Sequence, residues 1–255
     1  MSSVAQLREA TSESPRLRLE CTTAGKALRV PCRLMSDSSE HDLPDEPRST
    51  DPLAPYREAA RDLGSGFPAT LWASERTQQL RFDVLLDLLG PQRLDQAILL
   101  DLGCGDGALA LRMKQRGIRV ARYVGIDGIY RQVEAAQRRV LERASFVCED
   151  LTQNGRSLGR FGAGVAIISG TLNTMAQAQA QTLVREAFEA VSGAVCFNFL
   201  SDRPVARRRE ADLGPAIRHD VIRWLDFALG LTSLVSFRQD HLEGHDAAIL
   251  LAHET

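Results

Sequence analysis

The chain has 255 residues, of which 44% are apolar and 25% charged, with a formal net charge of −2. These values suit one soluble globular domain plus a tail. The near-neutral balance excludes a global field favouring nucleic acid or an anionic membrane, and no apolar run approaches the roughly 18 residues of a membrane span.

The first 52 residues read as a disordered or weakly structured tail. The segment SDSSEHDLPDEPRSTDP, 36–52, is rich in Ser, Pro and acids and nearly devoid of apolar side chains. The earlier runs RLRLECT and KALRVPCRLM alternate weakly, but no partner segment lies nearby. Met35 directly precedes the polar stretch and is a candidate start residue, and MSSVAQLREATSESPR has no apolar stretch of the kind a secretory signal needs. Cys21, Cys32, Cys104, Cys148 and Cys196 are odd in number and form no C-x-x-C pair. Neither a disulfide framework nor a zinc site is therefore expected, no metal is assigned, and a reducing cytoplasm is the expected setting. Cys148 and Cys196 fall in strand-like runs, where cysteine is usually a small buried hydrophobe.

From residue 53 to 255 one domain is expected, opening with a helical lid over 53–90. LAPYREAARDL, 53–63, reads as a helix stopped at Gly64 and Gly66. The 70–89 segment places Leu71, Leu80, Val84, Leu85 and Leu88 near one face at helical spacing, and Gly90-Pro91 closes it. Strands and helices then alternate. Strands are expected over 97–102, 120–126, 145–148, 164–168 and 194–200, with helices over 108–115, 129–141 and 176–191. That alternation is the mark of a parallel sheet with helices on both faces, a Rossmann-like α/β three-layer sandwich. After a helix over 217–229, two β-rich runs (232–237 and 247–252) lie too close together to pair in parallel, so a mostly parallel sheet with a reversed C-terminal strand is expected.

The chemistry centres on Asp101-Leu-Gly-Cys-Gly-Asp-Gly-Ala, between a strand and a helix. Gly103, Gly105 and Gly107 permit a tight turn and close approach of a ligand. By itself Gly103-x-Gly105-x-x-Ala108 also satisfies a relaxed dinucleotide fingerprint. Charge separates the two readings. A dinucleotide turn offers N–H groups to a pyrophosphate, and Asp101 and Asp106 would repel one at a cost on the order of several kcal/mol when desolvated. They suit a phosphate-free cationic ligand instead. Asp127, followed by Gly128, ends the second strand, where a carboxylate can accept bonds from both ribose hydroxyls. Asp150 ends the third and could meet an adenine amine, with Leu151 beside the ring. For each acid alone, helix capping is the competing reading.

These motifs resemble the class I S-adenosylmethionine (SAM)-dependent methyltransferases over about residues 70–253. The resemblance implies a seven-stranded sheet, with Asp101, Gly103 and Gly105 bordering the methionine part of SAM, Asp127 holding ribose, and Asp150 with Leu151 framing adenine. The fourth strand ends in Ile168-Ser169-Gly170-Thr171-Leu172-Asn173-Thr174, which in this fold lies beside the transferable methyl. Ser169 and Asn173 could orient an acceptor or simply cap the next helix. The segment lacks the Asn-Pro-Pro-Tyr type motif of nucleobase and glutamine methyltransferases and the acidic metal ligands of catechol-type enzymes. The Trp72…Gln79…Arg81-Phe82 helix, the Ser169-Gly170…Asn173 turn and Asn198-Phe199-Leu200 also resemble a poorly characterised subgroup of these enzymes. There Arg81 could meet the SAM carboxylate bidentately. His219, His241 and His245 are the base candidates by residue type, and none is assigned. The expectation is thus SAM-dependent methylation of a small-molecule acceptor, with no nucleic-acid or membrane partner. An NAD(P)-binding oxidoreductase and a non-catalytic SAM-binding protein are the alternatives.

Overall fold

A computed structural model describes residues 51–139, 141–209 and 213–254. The expectations about the tail, about Met35 and about strands before residue 50 lie outside the described residues. Asp51 and Pro52 lie inside them, and Asp51 Oδ1 accepts from Leu53 N at 3.0 Å.

The elements alternate as the periodicity predicts. Helix α1 (Ala54–Leu63) is followed by a short 3-10 turn (Phe67–Thr70) and α2 (Glu75–Leu94). Then come β1 (Ile98–Leu102), α3 (Ala108–Gln115), β2 (Arg122–Asp127), α4 (Tyr130–Arg138), β3 (Ala144–Cys148) and the single turn α5 (Leu151–Asn154). The chain continues through β4 (Val165–Ile168), α6 (Gln177–Ala190), β5 (Ala194–Leu200), α7 (Ala206–Arg209), α8 (Val221–Leu229), β6 (Val235–Arg238) and β7 (Asp246–Ala252).

The seven strands form one sheet in the order β3-β2-β1-β4-β5-β7-β6. β1 to β5 pair in parallel, and β7 runs antiparallel to both β5 and β6. The reversed strand is therefore internal, wedged between two strands of opposite direction to itself. Burial follows position: β4, β5 and β7 are buried at every residue, whereas the edge strands β3 and β6 are not. Strands covered on both faces need continuous apolar runs, and Val165-Ala-Ile-Ile and Ala194-Val-Cys-Phe supply them. Alternate residues feed two cores. Leu100, Ile126, Ile168, Phe197 and Ile249 pack with Leu183, Val184 and Trp224 of α6 and α8. Leu99, Tyr123, Ile167, Cys196 and Leu250 pack with Phe82, Leu85, Leu89 and Met113 of α2 and α3. Arg112 of α3 closes on α2 through Asp83, at 2.9 and 2.6 Å. Among the described residues, no helix is long and apolar enough to cross a membrane.

Several expectations need correction. The buried residues of α2 are Gln78, Arg81, Phe82, Val84, Leu85, Leu86, Leu89 and Leu94. Val84 and Leu85 are buried as expected, whereas Leu80 and, before the helix, Leu71 are exposed, because Phe82 and Arg81 extend the buried face at that end instead. Gly90, at φ 71°, is non-helical and closes the long part of α2 as expected, and a separate turn from Pro91 carries Leu94 into the core. Cys148 is exposed because β3 is an edge strand, whereas Cys196 is buried as expected. Helix α8 begins at Val221 instead of residue 217. Other backbone groups engage the residues before it: Ile217 N donates to Asn173 O at 2.7 Å and His219 N to Leu200 O at 2.8 Å. Asp220 then caps α8 by accepting from Arg223 N.

His219 is a buried tie between these parts. Its Nε2 lies 3.0 Å from Met175 O, and Trp224 Nε1 donates to its Nδ1 at 3.1 Å. Burial lowers its pKa from 6.5 to about 4, despite the bond to Met175. The native state therefore holds a neutral imidazole that the unfolded chain would protonate. The stability it contributes is complete above about pH 6.5 and lost as pH falls toward about 4, roughly 3 kcal/mol in all. The wild type minus His219→Gln difference in urea unfolding free energy should shrink across that window. A difference constant from pH 7.5 to 4.5 would contradict this role.

Candidate functional site

Topology selects the place. From β1 the chain winds through β2 and β3 to one side, then returns to β4 and β5 on the other. At such a switch point the loops leaving adjacent strands part and leave a crevice at the carboxyl ends. The cavity there is lined by the turns after β1 (Asp101, Gly103, Gly105), β2 (Asp127, Gly128), β3 (Asp150, Leu151) and β4 (Ser169). Eight of the nine residues singled out from sequence thus share one cavity. α1, the 67–70 turn and the start of α2 contribute Tyr56, Thr70, Trp72 and Phe82 to the same wall.

The glycine turn is built for close approach. Gly103 has φ 85°, and a Cβ there would overlap Thr171 Oγ1, with Thr171 Cβ and Cγ2 only 2.9 Å away. Thr171 Oγ1 donates to Leu102 O at 2.8 Å, which fastens the turn after β4 onto the end of β1. Gly103 and Cys104 donate their N–H groups to Ile126 O at 2.8 and 3.0 Å. The turn is thereby pinned on both sides.

The acids differ in what already holds them. Asp101 is 2% exposed and accepts from Tyr123 Oη. Burial, opposed by that bond and assisted by Asp127 nearby, raises its pKa to about 7. Asp127 accepts from Gly105 N on Oδ2 and from Ile129 N on Oδ1, both at 2.8 Å, and burial raises its pKa too. Asp106 is already neutralised: Arg139 bonds both its carboxylate and its carbonyl. The charge argument made for Asp106 from sequence therefore loses most of its force. Asp150 caps the following turn through Thr152 N and Oγ1, and Arg57 lies 3.7 Å from its Oδ2.

Arg81, the ninth residue, contributes nothing to the cavity wall. It is 6% exposed and its Nε donates to the fully buried Asp246. None of His219, His241 and His245 lines the cavity either. Asn173 does, but its Oδ1 accepts from Leu200 N at 3.0 Å, so it also ties the turn to β5. Ser169 Oγ is buried without a hydrogen-bond partner, and the buried Thr174 hydroxyl lies beside that of Tyr56. Among the described lining residues there is no Lys, Arg or His.

Sequence reasoning missed Tyr123, Thr171 and Gln132. Gln132 ties α4 to the loop after α1 by donating to Gly66 O at 3.2 Å and accepting from Gly66 N at 2.9 Å. A polar residue in the buried stripe of α4 was the available signal for Gln132, whereas nothing local marks Thr171.

Gly103→Ala should lower the thermal midpoint by several degrees, through about 1–2 kcal/mol of left-handed backbone cost plus the clash with Thr171. Adding Thr171→Ala should recover only the steric part. Equal stability of wild type and Gly103→Ala in a thermal melt would contradict the close approach.

Comparison with known proteins agrees with this geometry. Residues 99–193 match the family model described as a methyltransferase domain. No curated protein matches the sequence. Among solved structures, an O-methyltransferase family protein from Burkholderia thailandensis superposes with a TM-score of 0.62 at 18% identity, over 82% of this chain and 66% of that one. A SAM-dependent methyltransferase from Leishmania major gives 0.60 at 12% identity, over 80% and 86%. Magnesium protoporphyrin IX methyltransferase from Synechocystis PCC 6803, solved with bound SAM, gives 0.58 at 16% identity, over 81% and 99%. Residues 99–193 thus match a methyltransferase domain, and the chain shares the fold of these solved structures.

Proposed function

We propose that the cavity binds SAM and that the chain transfers its methyl group to a small, uncharged acceptor. The observation that carries this reading is the cavity's one-sided charge. Asp101, buried, and Asp127, half-buried, both have raised pKa and face a crevice whose described lining offers no cation. A pyrophosphate would find two poorly solvated acids and no counter-charge, which disfavours an NAD(P) reading.

The residues present fit SAM. The Gly103–Gly105 turn provides a surface free of side chains, and the two oxygens of Asp127 retain lone pairs beyond their backbone donors. Asp127 and Gly128 would hold the ribose, Leu151 with Asp150 the adenine, and Asp101 with Gly103 and Gly105 the ammonium of the amino-acid end. SAM supplies an electrophilic methyl on a sulfonium centre. The protein's part is to align an acceptor and keep water out.

The acceptor side of the wall is Tyr56, Trp72, Thr174, Met175, Leu213 and Pro215. The free Ser169 hydroxyl and the Thr174 hydroxyl beside that of Tyr56 suit a polar but uncharged acceptor on an apolar body. Desolvation pushes Tyr56 up to about 12, so it stays protonated and donates rather than acting as a base near neutral pH. His219 stands behind this wall, engaged on both nitrogens. The chemistry that fits is alignment of an acceptor that is nucleophilic without help from a strong local base. A non-catalytic SAM-binding role gains no specific observation.

Two measurements test this. Calorimetric titration should show SAM binding that weakens below about pH 7, approaching tenfold per pH unit, because the cation needs ionised Asp101. Asp127→Asn should weaken SAM by about tenfold or more. Asp101→Asn should also weaken it while raising the thermal midpoint of the ligand-free protein at pH 8, since it removes a buried charge. Binding of NADH but not SAM, or SAM affinity flat from pH 6 to 8.5, would overturn the reading.

A further inference from the structure

We propose that Arg81 is a positioning residue for the transfer end of the cavity, acting through Asp246 and Trp72 without touching the cofactor. The inference rests on the reading of the cavity as a SAM site.

The observations form a closed circuit. Arg81 Nε donates to Asp246, and this buried pair joins α2 to β7. Asp246 Oδ1 accepts from Asn198 Nδ2 at 2.9 Å, and Asn198 Oδ1 accepts from Gly170 N at 3.0 Å. Gly170, at φ 76°, is pressed against Trp72: a Cβ there would lie 2.5 Å from Trp72 Cζ2. The Arg81 guanidinium in turn sits over the Trp72 ring, 4.7 Å from its centroid. The circuit thus runs Arg81, Asp246, Asn198, Gly170, Trp72 and back.

Position in the wall divides the members by role. Trp72 and Gly170 line the cavity beside Ser169, whereas Arg81, Asn198 and Asp246 lie behind it. Asp246 has no exposed surface and Asn198 is 1% exposed, so neither can turn to solvent if Arg81 leaves. Burial alone would raise the Asp246 carboxyl, but the Arg81 charge and the bonds from His241, Asn198 and Arg81 hold it below the usual range. Swinging Arg81 toward a ligand carboxylate would leave this buried anion only Asn198 and the His241 ring, whose Nε2 is 3.6 Å away, so the less costly arrangement keeps Arg81 in place. What it does from there is fix the Gly170 turn through Asn198 and the Trp72 ring directly. The three separated segments around Trp72–Phe82, Ser169–Asn173 and Asn198–Leu200 thereby become one wall.

The test compares two ligands on the full chain by calorimetry: S-adenosylhomocysteine, which has the amino-acid carboxylate, and 5′-methylthioadenosine, which lacks it. Arg81→Met should weaken both by a similar factor, about three- to tenfold. Arg81→Lys should recover part of that loss. Asp246→Asn, which leaves Arg81 chemically intact, should weaken both ligands in parallel. If Arg81 instead bound the ligand carboxylate, Arg81→Met would weaken S-adenosylhomocysteine about 100-fold and spare methylthioadenosine, with Asp246→Asn near wild type. That pattern, or unchanged affinity for both ligands in Arg81→Met, overturns the proposal. Arg81→Lys and Asp246→Asn carry the comparison should Arg81→Met fail to fold.

A second readout needs no ligand. Trp72 is the sole tryptophan in a Trp224→Phe background, and its emission should shift in Arg81→Met and partly return in Arg81→Lys. Unchanged emission overturns the proposal. Failure of the wild type to bind either nucleoside would bring down the cofactor reading, while the emission experiment still decides the role of Arg81.

Discussion

The ligand edge of this protein depends on two turns being brought closer than side chains normally allow. The turn after β1 meets the turn after β4 where Gly103 lies against Thr171, and the Thr171 hydroxyl closes the gap by bonding Leu102 O. That contact closes one side of the crevice, while Ile126 O and Asp127 take the amides of Gly103, Cys104 and Gly105 on the other. With a larger residue at 103 the two turns would separate, and the carboxyl ends of β1 and β4 would no longer share one wall.

Upon this frame the electrostatics are costly in the absence of ligand. Asp101 is buried against Tyr123, and Asp127 repels it at close quarters. A binding site that stores unfavourable charge is pre-organised for the counter-charge that relieves it. Asp106 and Asp150 show the contrast, since Arg139, Thr152 and Arg57 already engage them. Acids that look equivalent along the chain thus differ in what holds them: an arginine beside Asp106 and Asp150, only neutral donors beside Asp101 and Asp127.

Much of the fold was legible because its determinants are local. The apolar runs of β4 and β5, the glycine turn after β1 and the strand-end acids are all contiguous in sequence, and each of those acids lines the cavity. What was not legible rests on pairings across long separations. Thr171 bonds a carbonyl 69 positions away, and Arg81 finds Asp246 165 positions away. No local pattern reports such a partner, so from sequence Arg81, on the helix before the core, stood only as a candidate for the SAM carboxylate. The misjudged start of the α2 face and the exposed Cys148 have a related origin: burial depends on which neighbour covers a residue, and sheet order decides that only after folding.

The interior place of β7 has a consequence for biosynthesis. Of the seven strands it is the last to leave the ribosome, yet it fills the gap between β5 and β6 and carries the anchor for Arg81. Until residues 246–252 emerge, nascent β5 has a bare hydrogen-bonding edge and the α2 guanidinium lacks its counter-ion. Early elements must wait, partly assembled, for a late one to lock them. Chaperone engagement during translation is a sensible expectation for a sheet finished in this order, with the unpaired flank of β5 as the surface needing protection.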